Sequence, residues 1–164
     1  MDDLSIQPLT PESPWRMQIV KEQYEYWGPL TGHSSPSLYE DFLARAAHSL
    51  TLPRVLLATT PDAFLGSVNV VTNEMAVRPQ FTPWMSQLFV TKRHRAEGTG
   101  TKLLNAAISY VDSLGYDELF LFTSGTLPGY YRKRGWIDVE DVTYLGKQRT
   151  IMRFEIYLAP NRKM

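Results

Sequence analysis

The residues best suited to chemistry in this sequence include two glycines, Gly98 and Gly100, which follow the apolar run Leu88–Val90. An amphipathic segment begins directly after them. Glycines at the start of a helix leave the unpaired N–H groups of its first turn accessible, and the helix dipole adds partial positive charge there. The arrangement predicts a phosphate site. The alternative is a loop tightened by glycine only to pack a helix on a sheet.

Two familiar phosphate motifs do not match this loop. The dinucleotide fingerprint G-x-G-x-x-G fails because Leu103 occupies the place of its third glycine. The Walker pattern fails because only three residues separate Gly98 from Lys102. The pattern that remains is Arg95, two residues, Gly98, one residue and Gly100. These residues indicate an anion site without identifying its ligand.

The elements on either side of the glycines predict a strand-helix-strand crossover. One apolar stripe at three- and four-residue spacing indicates the helix: Leu103, Leu104, Ala107, Ile108, Val111 and Leu114. Gly115 is suited to end this helix. The apolar run Leu119–Phe122 then predicts a second strand that is buried on both faces.

The rest of the chain carries strand signals before and after the crossover. Alternating residues and turn signals predict one edge strand and two hairpins, at 4–9, at 55–60 with 65–71, and at 137–144 with 150–158. Residues 73–83 contain two prolines and no periodicity, and they predict a loop.

Two further helices are predicted in the first third of the chain. Thr10, followed by a proline and a glutamate, is the expected N-cap of a helix that runs to about Tyr26. A capping box at Ser37 predicts a second helix that ends near Leu50 and buries Leu38 on its apolar face.

Length and composition fit one domain over residues 1–164. The 164 residues are 43% hydrophobic, which is enough for one sizeable core. Together with the order of elements, this predicts an α/β (α+β) fold. We expect a mixed, mostly antiparallel central sheet with helices on both faces and one central strand-helix-strand crossover.

Composition disfavours several classes of function. Lys and Arg total 17, as do Asp and Glu, so no chain-wide basic field favours nucleic-acid binding. The absence of cysteine excludes disulfides and thiolate sites, and the three histidines lie far apart, so no metal site is expected. No apolar stretch approaches membrane-spanning length and the N-terminus is acidic, so we expect no membrane contact and a cytoplasmic location.

Two ordered segments resemble motifs of the GNAT N-acetyltransferase superfamily. Residues 90–104 are similar to its acetyl-CoA pyrophosphate loop, whose pattern is Gln or Arg, two residues, Gly, one residue, and Gly or Ala. Residues 130–136 resemble the Y-x-x-x-G-(Phe/Trp) ending of that fold. The resemblance covers the chain from Trp84 to Trp136, and the order of elements outside it fits a GNAT-like sheet.

The resemblance implies acetyl-CoA as the co-substrate and no metal. In that family, the backbone of the first central parallel strand pairs with the pantetheine arm, and this role falls here to Leu88, Phe89 and Val90. The pyrophosphate loop corresponds to seven consecutive residues, of which the arginine supports the loop: Arg95, Ala96, Glu97, Gly98, Thr99, Gly100 and Thr101.

Tyr131 and Glu74 are the candidates for the two proton transfers that acetyl transfer to an amine requires. An alkyl amine titrates near pH ~10, so it arrives mostly protonated and needs a base. Glu74, in the loop before the central strand, is the expected base, and a solvated loop glutamate is the alternative. Tyr131 stands four residues before Gly135, as does the tyrosine general acid of the family. The alternative for Tyr131 is an aromatic that packs the core or the coenzyme.

The expected acceptor is a primary amine of a small molecule or peptide. In the family the first two helices line the acceptor side, so Tyr26 and Trp27 are expected to contact the amine, with core packing as the alternative. Glu74, in its loop, is expected to border the same pocket. A homodimer is open because dimers are common among relatives. Two other functions are open: a non-catalytic acyl-CoA-binding or sensing module on the same fold, and a nucleotide-binding protein of different chemistry.

Overall fold

A computed structural model describes residues 4–31, 36–95 and 97–158, with side chains described outside 26–31 and 158. Within these residues the strands are β1 (Ser5–Pro8), β2 (Arg54–Thr59), β3 (Phe64–Val71), β4 (Trp84–Val90), β5 (Glu118–Thr123), β6 (Ile137–Tyr144) and β7 (Lys147–Glu155). The α-helices are α1 (Arg16–Thr31), α2 (Pro36–His48), α3 (Thr99–Ser113) and α4 (Leu127–Arg132). Short 3₁₀ turns are formed by Lys92–His94 and Ile156–Leu158.

The strands form a seven-stranded sheet with the order β1-β2-β3-β4-β5-β7-β6. The pairs β1–β2, β2–β3, β5–β7 and β6–β7 are antiparallel, whereas β4 and β5 are parallel. Helix α3 connects the two parallel strands and is the crossover. The predicted mixed, mostly antiparallel sheet with one central strand-helix-strand crossover is therefore confirmed.

The chain divides into two compact units. The first consists of Met1–Val70 with Gln87–Ala107, and the second of Val71–Ser86 with Ile108–Met164. The prediction of one domain over residues 1–164 stays a prediction.

Helices α1 and α2 supply much of the core of the first unit. The fully or nearly buried apolar residues of this cluster come from both helices and from the strands beneath them: Leu9, Ile19, Val20, Tyr39, Leu43, Ala46, Ala47, Val55, Leu57, Phe64 and Phe89. One polar group crosses the cluster. The side-chain amide of Gln23 donates to the hydroxyl of Ser67 and accepts a hydrogen bond from the hydroxyl of Tyr39. Because all three residues are buried, these bonds satisfy polar groups that water does not reach.

β4 lies very close to β3 at one position, Gly66. A Cβ added to Gly66 would lie 2.4 Å from the carbonyl oxygen of Phe89, far inside van der Waals contact. A hydrogen bond of 2.8 Å from the N–H of Thr91 to the carbonyl of Leu65 continues the pairing past the end of the strand. Glycine at position 66 therefore allows the close approach of the two backbones.

Strands β6 and β7 form a long hairpin in the second unit. Its two-residue turn consists of Leu145 and Gly146, with φ values of 52° and 77°. Positive φ at both central residues is typical of a type I′ turn, whose twist matches that of the paired strands. The strands pair from Tyr144 opposite Lys147 back to Ile137 opposite Arg153, with an irregularity between Asp138 and Glu140.

Four sequence-based predictions about the bounds or the buried face of an element were wrong. Helix α1 ends at Thr31 rather than near Tyr26. Helix α1 begins at Arg16 rather than after Thr10, because Thr10 and Ser13 form a hydrogen-bonded turn and the proline at position 14 disfavours helical geometry before it. Leu38 is 51% exposed, since the buried face of α2 is formed by other residues: Tyr39, Leu43, Ala46 and Ala47. Strand β7 begins at Lys147, because the tight turn lets pairing start at once.

Replacement of Gly66 by alanine tests the close approach of β3 and β4. The added methyl group meets a backbone oxygen that cannot rotate away, so we expect the free energy of unfolding to fall by about 3 kcal/mol. Denaturant unfolding measures it.

The matched control is Gly129→Ala in helix α4. No atom lies within 4 Å of the added Cβ at that glycine, and alanine favours the helix, so this variant is expected to be neutral or more stable. Equal stability of the two variants would contradict the steric role of Gly66.

Candidate active site

The N-terminus of α3 is capped by a glycine. Gly98 has a φ of +86°, and its carbonyl accepts the N–H of Lys102 at 3.1 Å, which makes it the N-cap. A serine, threonine or aspartate there would occupy a backbone N–H of the first turn with its own side chain, and a glycine does not. A Cβ at this position would have no atom within 4 Å. Gly98 therefore uses no side chain to occupy the helix end, and the anion site at this end stays a prediction.

Arg95 folds back onto β4. Its Nε donates to the carbonyl of Val90 at 2.9 Å, and its guanidinium lies 5.8 Å from the ring centroid of Phe89. These contacts fix the start of the loop, which fits the supporting role that the resemblance implied for Arg95. Glu97 lies 3.5 Å from the imidazole of His94. Ala96, also assigned to the coenzyme, lies outside the described residues.

The backbone of β4 presents alternating polar groups to its two sides. The carbonyl of Phe89 points toward Gly66 of β3, so the N–H and C=O groups of Leu88 and Val90 point away from β3. Of the three residues assigned to the pantetheine arm, Leu88 and Val90 are therefore the ones whose polar groups face away from the neighbouring strand. Gln87, just before them, has a φ of +51°.

Gln87 is held in its unusual conformation by Asn69. The Nδ2 of Asn69, a buried residue of β3, donates to the Oε1 of Gln87 at 3.0 Å. A non-glycine residue with positive φ is uncommon and needs such support from its surroundings. Sequence reasoning missed this pair, because no local pattern marks a glutamine for the left-handed region.

Tyr131 lies in α4 within a buried aromatic cluster and is 8% exposed. Its ring centroid is 5.9 Å from that of Trp136, which in turn is 5.6 Å from that of Phe154. Its carbonyl accepts the N–H groups of Arg134 and Trp136, and Gly135 between them has a φ of +96°. The glycine of the motif therefore turns the chain from α4 into β6. Burial raises the pKa of Tyr131 to about 12.

Glu74 lies in the loop between β3 and β4, residues 72–83, hereafter the β3–β4 loop. Burial raises the pKa of its carboxyl from 4.5 to about 7. The next residue, Met75, is fully buried and anchors this part of the loop. A carboxyl that titrates near neutral pH is suited to accept a proton in catalysis, because its driving force is larger than that of an ordinary carboxylate.

Tyr131 and the β3–β4 loop are associated with opposite faces of β5. Phe81 of the loop stacks on Phe120, with centroids 4.6 Å apart and planes at 11°. The aromatic cluster of Tyr131 includes Phe154, which is the cross-strand partner of Leu119. Successive residues of a strand point to opposite faces, so Leu119 and Phe120 separate the two candidates.

The loop side of β5 carries a half-buried aromatic surface. The ring of Phe122 lies 5.6 Å from that of Tyr144, and the guanidinium of Arg149 lies 5.4 Å from the same ring. Sequence reasoning did not assign these residues to a site, because they come from two strands and form no local pattern. The side chains of Tyr26 and Trp27, which were assigned to the acceptor, lie outside the description, so that assignment stays a prediction.

A third feature that sequence reasoning missed is an ion pair at the tip of the β3–β4 loop. Arg78 forms two hydrogen bonds to the carboxylate of Glu140, at 2.8 and 2.6 Å. The partners are 62 residues apart, so no spacing rule brings them together.

The described residues contain neither a membrane-spanning helix nor a group arranged to bind a metal ion. None of their helices is long and apolar enough to cross a membrane. Their His, Asp and Glu side chains form no group of three that is arranged to hold a metal ion.

The fold is shared with solved acetyltransferases. The aminoglycoside 6'-N-acetyltransferase from Enterococcus faecium matches with a TM-score of 0.72 and 18% identity over 95% of this chain and 99% of its own. A GNAT family acetyltransferase from Elizabethkingia anophelis with acetyl-CoA bound matches with 0.63 and 17% identity, over 94% and 99%. A spermidine N-acetyltransferase chimera from Vibrio cholerae and hSSAT matches with 0.71 and 15% identity, over 94% and 96%.

A search of curated proteins finds no match. A family model does match, and its description is "Acetyltransferase (GNAT) domain". The match runs over residues 40–152, which includes the glycine-capped start of α3, the β3–β4 loop and Tyr131. The chain therefore belongs to the GNAT family of acetyltransferases.

Proposed function

We propose that this protein transfers the acetyl group of acetyl-CoA directly to a primary amine of a small molecule or peptide. The observation that carries the proposal is the start of α3, where Gly98 caps the helix without a side chain and leaves first-turn N–H groups for an anion. Acetyl-CoA is bound in the solved structure from Elizabethkingia anophelis, which has the same fold. A nucleotide with a pyrophosphate supplies the anion that this helix end suits.

The coenzyme is proposed to bind along the first unit. Its pyrophosphate would accept hydrogen bonds from the backbone between Glu97 and Thr101, while Arg95 holds the loop against β4. Its pantetheine arm would pair with the outward-facing polar groups of Leu88 and with the N–H of Val90, as an added strand does. The carbonyl of Val90 already accepts a hydrogen bond from Arg95. Phe89 contributes packing instead, because its carbonyl faces β3.

Glu74 is proposed as the general base for the acceptor amine. The amine must lose a proton before or during its attack on the thioester carbonyl, and a carboxyl with a pKa of about 7 takes it more readily than one at 4.5. The proton leaves nitrogen, the nitrogen lone pair forms the new C–N bond, and the C–S bond breaks. No covalent intermediate with the protein is needed.

Tyr131 is proposed as the general acid for the departing thiolate. With a pKa of about 12 its phenol stays protonated at any working pH, so the donor is always available. The same apolar surroundings that raise the pKa of the phenol also raise the pKa of a thiol, which offsets the weaker acidity of the donor.

The acceptor class is inferred from chemistry and from the solved relatives. Two structures with this fold are described as acetyltransferases of aminoglycosides and of spermidine, both of which carry primary amines. The half-buried rings of Phe122 and Tyr144 offer a surface on which the carbon skeleton of a small amine can pack. A homodimer stays a prediction, and light scattering would test it.

Coenzyme binding is tested by Gly100→Asp. An aspartate at the second position of α3 favours the helix, so stability is expected to hold. The carboxylate would repel the pyrophosphate, and we expect acetyl-CoA to bind at least ~100-fold more weakly in calorimetry. Gly100→Asn has nearly the same shape without the charge and is expected to lose less. Equal losses in the two variants would indicate a steric effect and argue against an anion at this helix end.

The role of Tyr131 is tested by Tyr131→Phe. The ring and its packing against Trp136 are retained while the proton donor is lost, so kcat is expected to fall by about 10²-fold with KM for acetyl-CoA little changed. Steady-state kinetics measure this, with Tyr130→Phe as the control that keeps its activity. Full activity of Tyr131→Phe would remove the general acid from the mechanism.

The role of Glu74 is tested by Glu74→Gln, first by stability. In the folded protein the pKa of Glu74 is about 7, above the ordinary value of 4.5 that applies to the unfolded chain. The contribution of Glu74 to the free energy of unfolding is therefore most favourable below about pH 4.5 and is lost as the pH rises through 7. Glutamine carries no charge and escapes this loss. We expect the variant to gain about 2 kcal/mol relative to the parent between pH 4 and pH 8, measured by denaturant unfolding.

The same variant is expected to lose activity as it gains stability. The rise of kcat/KM near pH 7 belongs to Glu74 in this mechanism, so it is expected to disappear from the pH profile of Glu74→Gln. An unchanged profile would exclude Glu74 as the base even if the stability prediction holds.

A further inference from the structure

The β3–β4 loop is fixed firmly at its base. The hydroxyl of Thr82 donates to the carbonyl of Thr72 at 2.7 Å and so joins the two ends of the loop. Next to this bond, the ring of Phe81 stacks on Phe120 of β5. The base therefore has both a hydrogen bond and an aromatic contact to a buried strand.

Arg78 holds the tip of the loop. Its Nε and Nη2 donate to the two carboxylate oxygens of Glu140, at 2.8 and 2.6 Å, and its Nη1 donates to the carbonyl of Val77 at 2.8 Å. Glu140 belongs to β6, which pairs with β7 along its length. A two-pronged bond of this kind fixes orientation as well as distance. The tip of the loop is thereby tied to the hairpin.

Glu74 lies between these two fixed points. Arg78 is four residues further along, and its N–H donates to the carbonyl of Met75 at 2.9 Å. Met75 itself is 1% exposed. Glu74 therefore directly precedes a hydrogen-bonded turn that runs from Met75 to Arg78. The side chain of Arg78, at the end of this turn, is bound by Glu140. A change at Arg78 must be transmitted to this turn.

Resting on the proposed role of Glu74 as the base, we propose that Arg78 and Glu140 are positioning residues that hold the half-buried Glu74 in place by fixing the tip of the β3–β4 loop. Neither residue needs to contact the coenzyme or the amine for this role. They act through the backbone of the β3–β4 loop. Their loss lets the loop tip move and lets water reach the carboxyl.

The ion pair stays charged while Glu74 titrates. The hydrogen bond from Arg78 lowers the pKa of Glu140, so this carboxylate is ionised well below pH 7. By register and ring contacts, other ionisable groups lie on the same face of the strands that the loop covers: Glu118, Tyr144, Arg149, Arg153 and Glu155. Burial is the cause of the raised pKa of Glu74.

The first test is the kinetics of Glu140→Gln. The variant leaves Arg78 without its charged partner, and we expect kcat to fall about 10-fold while KM for acetyl-CoA stays unchanged. We expect the rise of kcat/KM to move from near pH 7 toward lower pH, because a hydrated carboxyl regains its ordinary pKa.

The matched control is Asp141→Asn, one residue along the same strand. This exposed aspartate accepts a hydrogen bond from Thr150 at 2.9 Å. The same loss of one negative charge there is expected to leave kcat and the pH profile unchanged. Equal effects of Glu140→Gln and Asp141→Asn would overturn the proposal, because a general change in charge would explain both.

The second test does not depend on activity. The stability gained by Glu74→Gln between pH 4 and pH 8 reports the folded pKa of Glu74. If the ion pair keeps this carboxyl buried, the gain is expected to shrink by more than half in the background of Glu140→Gln. An undiminished gain would overturn the proposal. Because this readout is separate from kinetics, a failure of Glu74 as the base and a failure of its positioning are distinguishable.

A charge exchange provides the rescue experiment. Arg78→Glu combined with Glu140→Arg restores an attractive pair, whereas either change alone places two like charges at the loop tip. We expect the double variant to recover most of the kcat that each single variant loses and to regain the rise near pH 7. Additive losses in the double variant would show that the pair does not act as a unit and would overturn the proposal.

Discussion

The close approach of Gly66 to the carbonyl oxygen of Phe89 is the constraint on which the coenzyme side of this protein depends. At this point β4 lies directly against β3, and the N–H and C=O groups of every second residue of β4 face β3. Leu88 and Val90 then direct their N–H and C=O groups the other way. The positive φ of Gln87, supported by Asn69, lies just before this stretch. Backbone geometry at one glycine therefore decides which part of β4 is available to a ligand.

Burial is the common cause of the unusual acid-base properties in the second unit. It raises the pKa of both Glu74 and Tyr131, and in each case it favours the neutral form. For the tyrosine this keeps a proton donor loaded. For the glutamate it produces a base that works near neutral pH at a cost in stability above that pH. The proposed reaction uses the protonated form of Tyr131 and the deprotonated form of Glu74, and burial sets the pKa of both groups.

The sequence was most informative where interactions are local. The glycine-capped helix, its apolar stripe and the turn after Tyr131 all depend on residues within a few positions of one another, and each was predicted. The start of α1 was missed because Thr10 and Ser13 form a turn that imitates a helix cap. The Arg78–Glu140 pair was missed because 62 residues separate its partners. Leu38 was placed in the core because it lies at helical spacing from other apolar residues of α2, whereas the structure buries the neighbouring Tyr39 instead.

The two-residue turn at Leu145 and Gly146 has a consequence for how this protein tolerates insertions. In an antiparallel pair, a slip of one residue moves every side chain of a strand to the opposite face. Here the turn sets the phase of β6, and hence the face on which Glu140 lies, although the turn itself is on the surface. A single extra residue at this exposed loop would leave the hairpin intact and yet direct Glu140 away from Arg78. The β6–β7 turn is therefore exposed to solvent and yet is not expected to tolerate insertions.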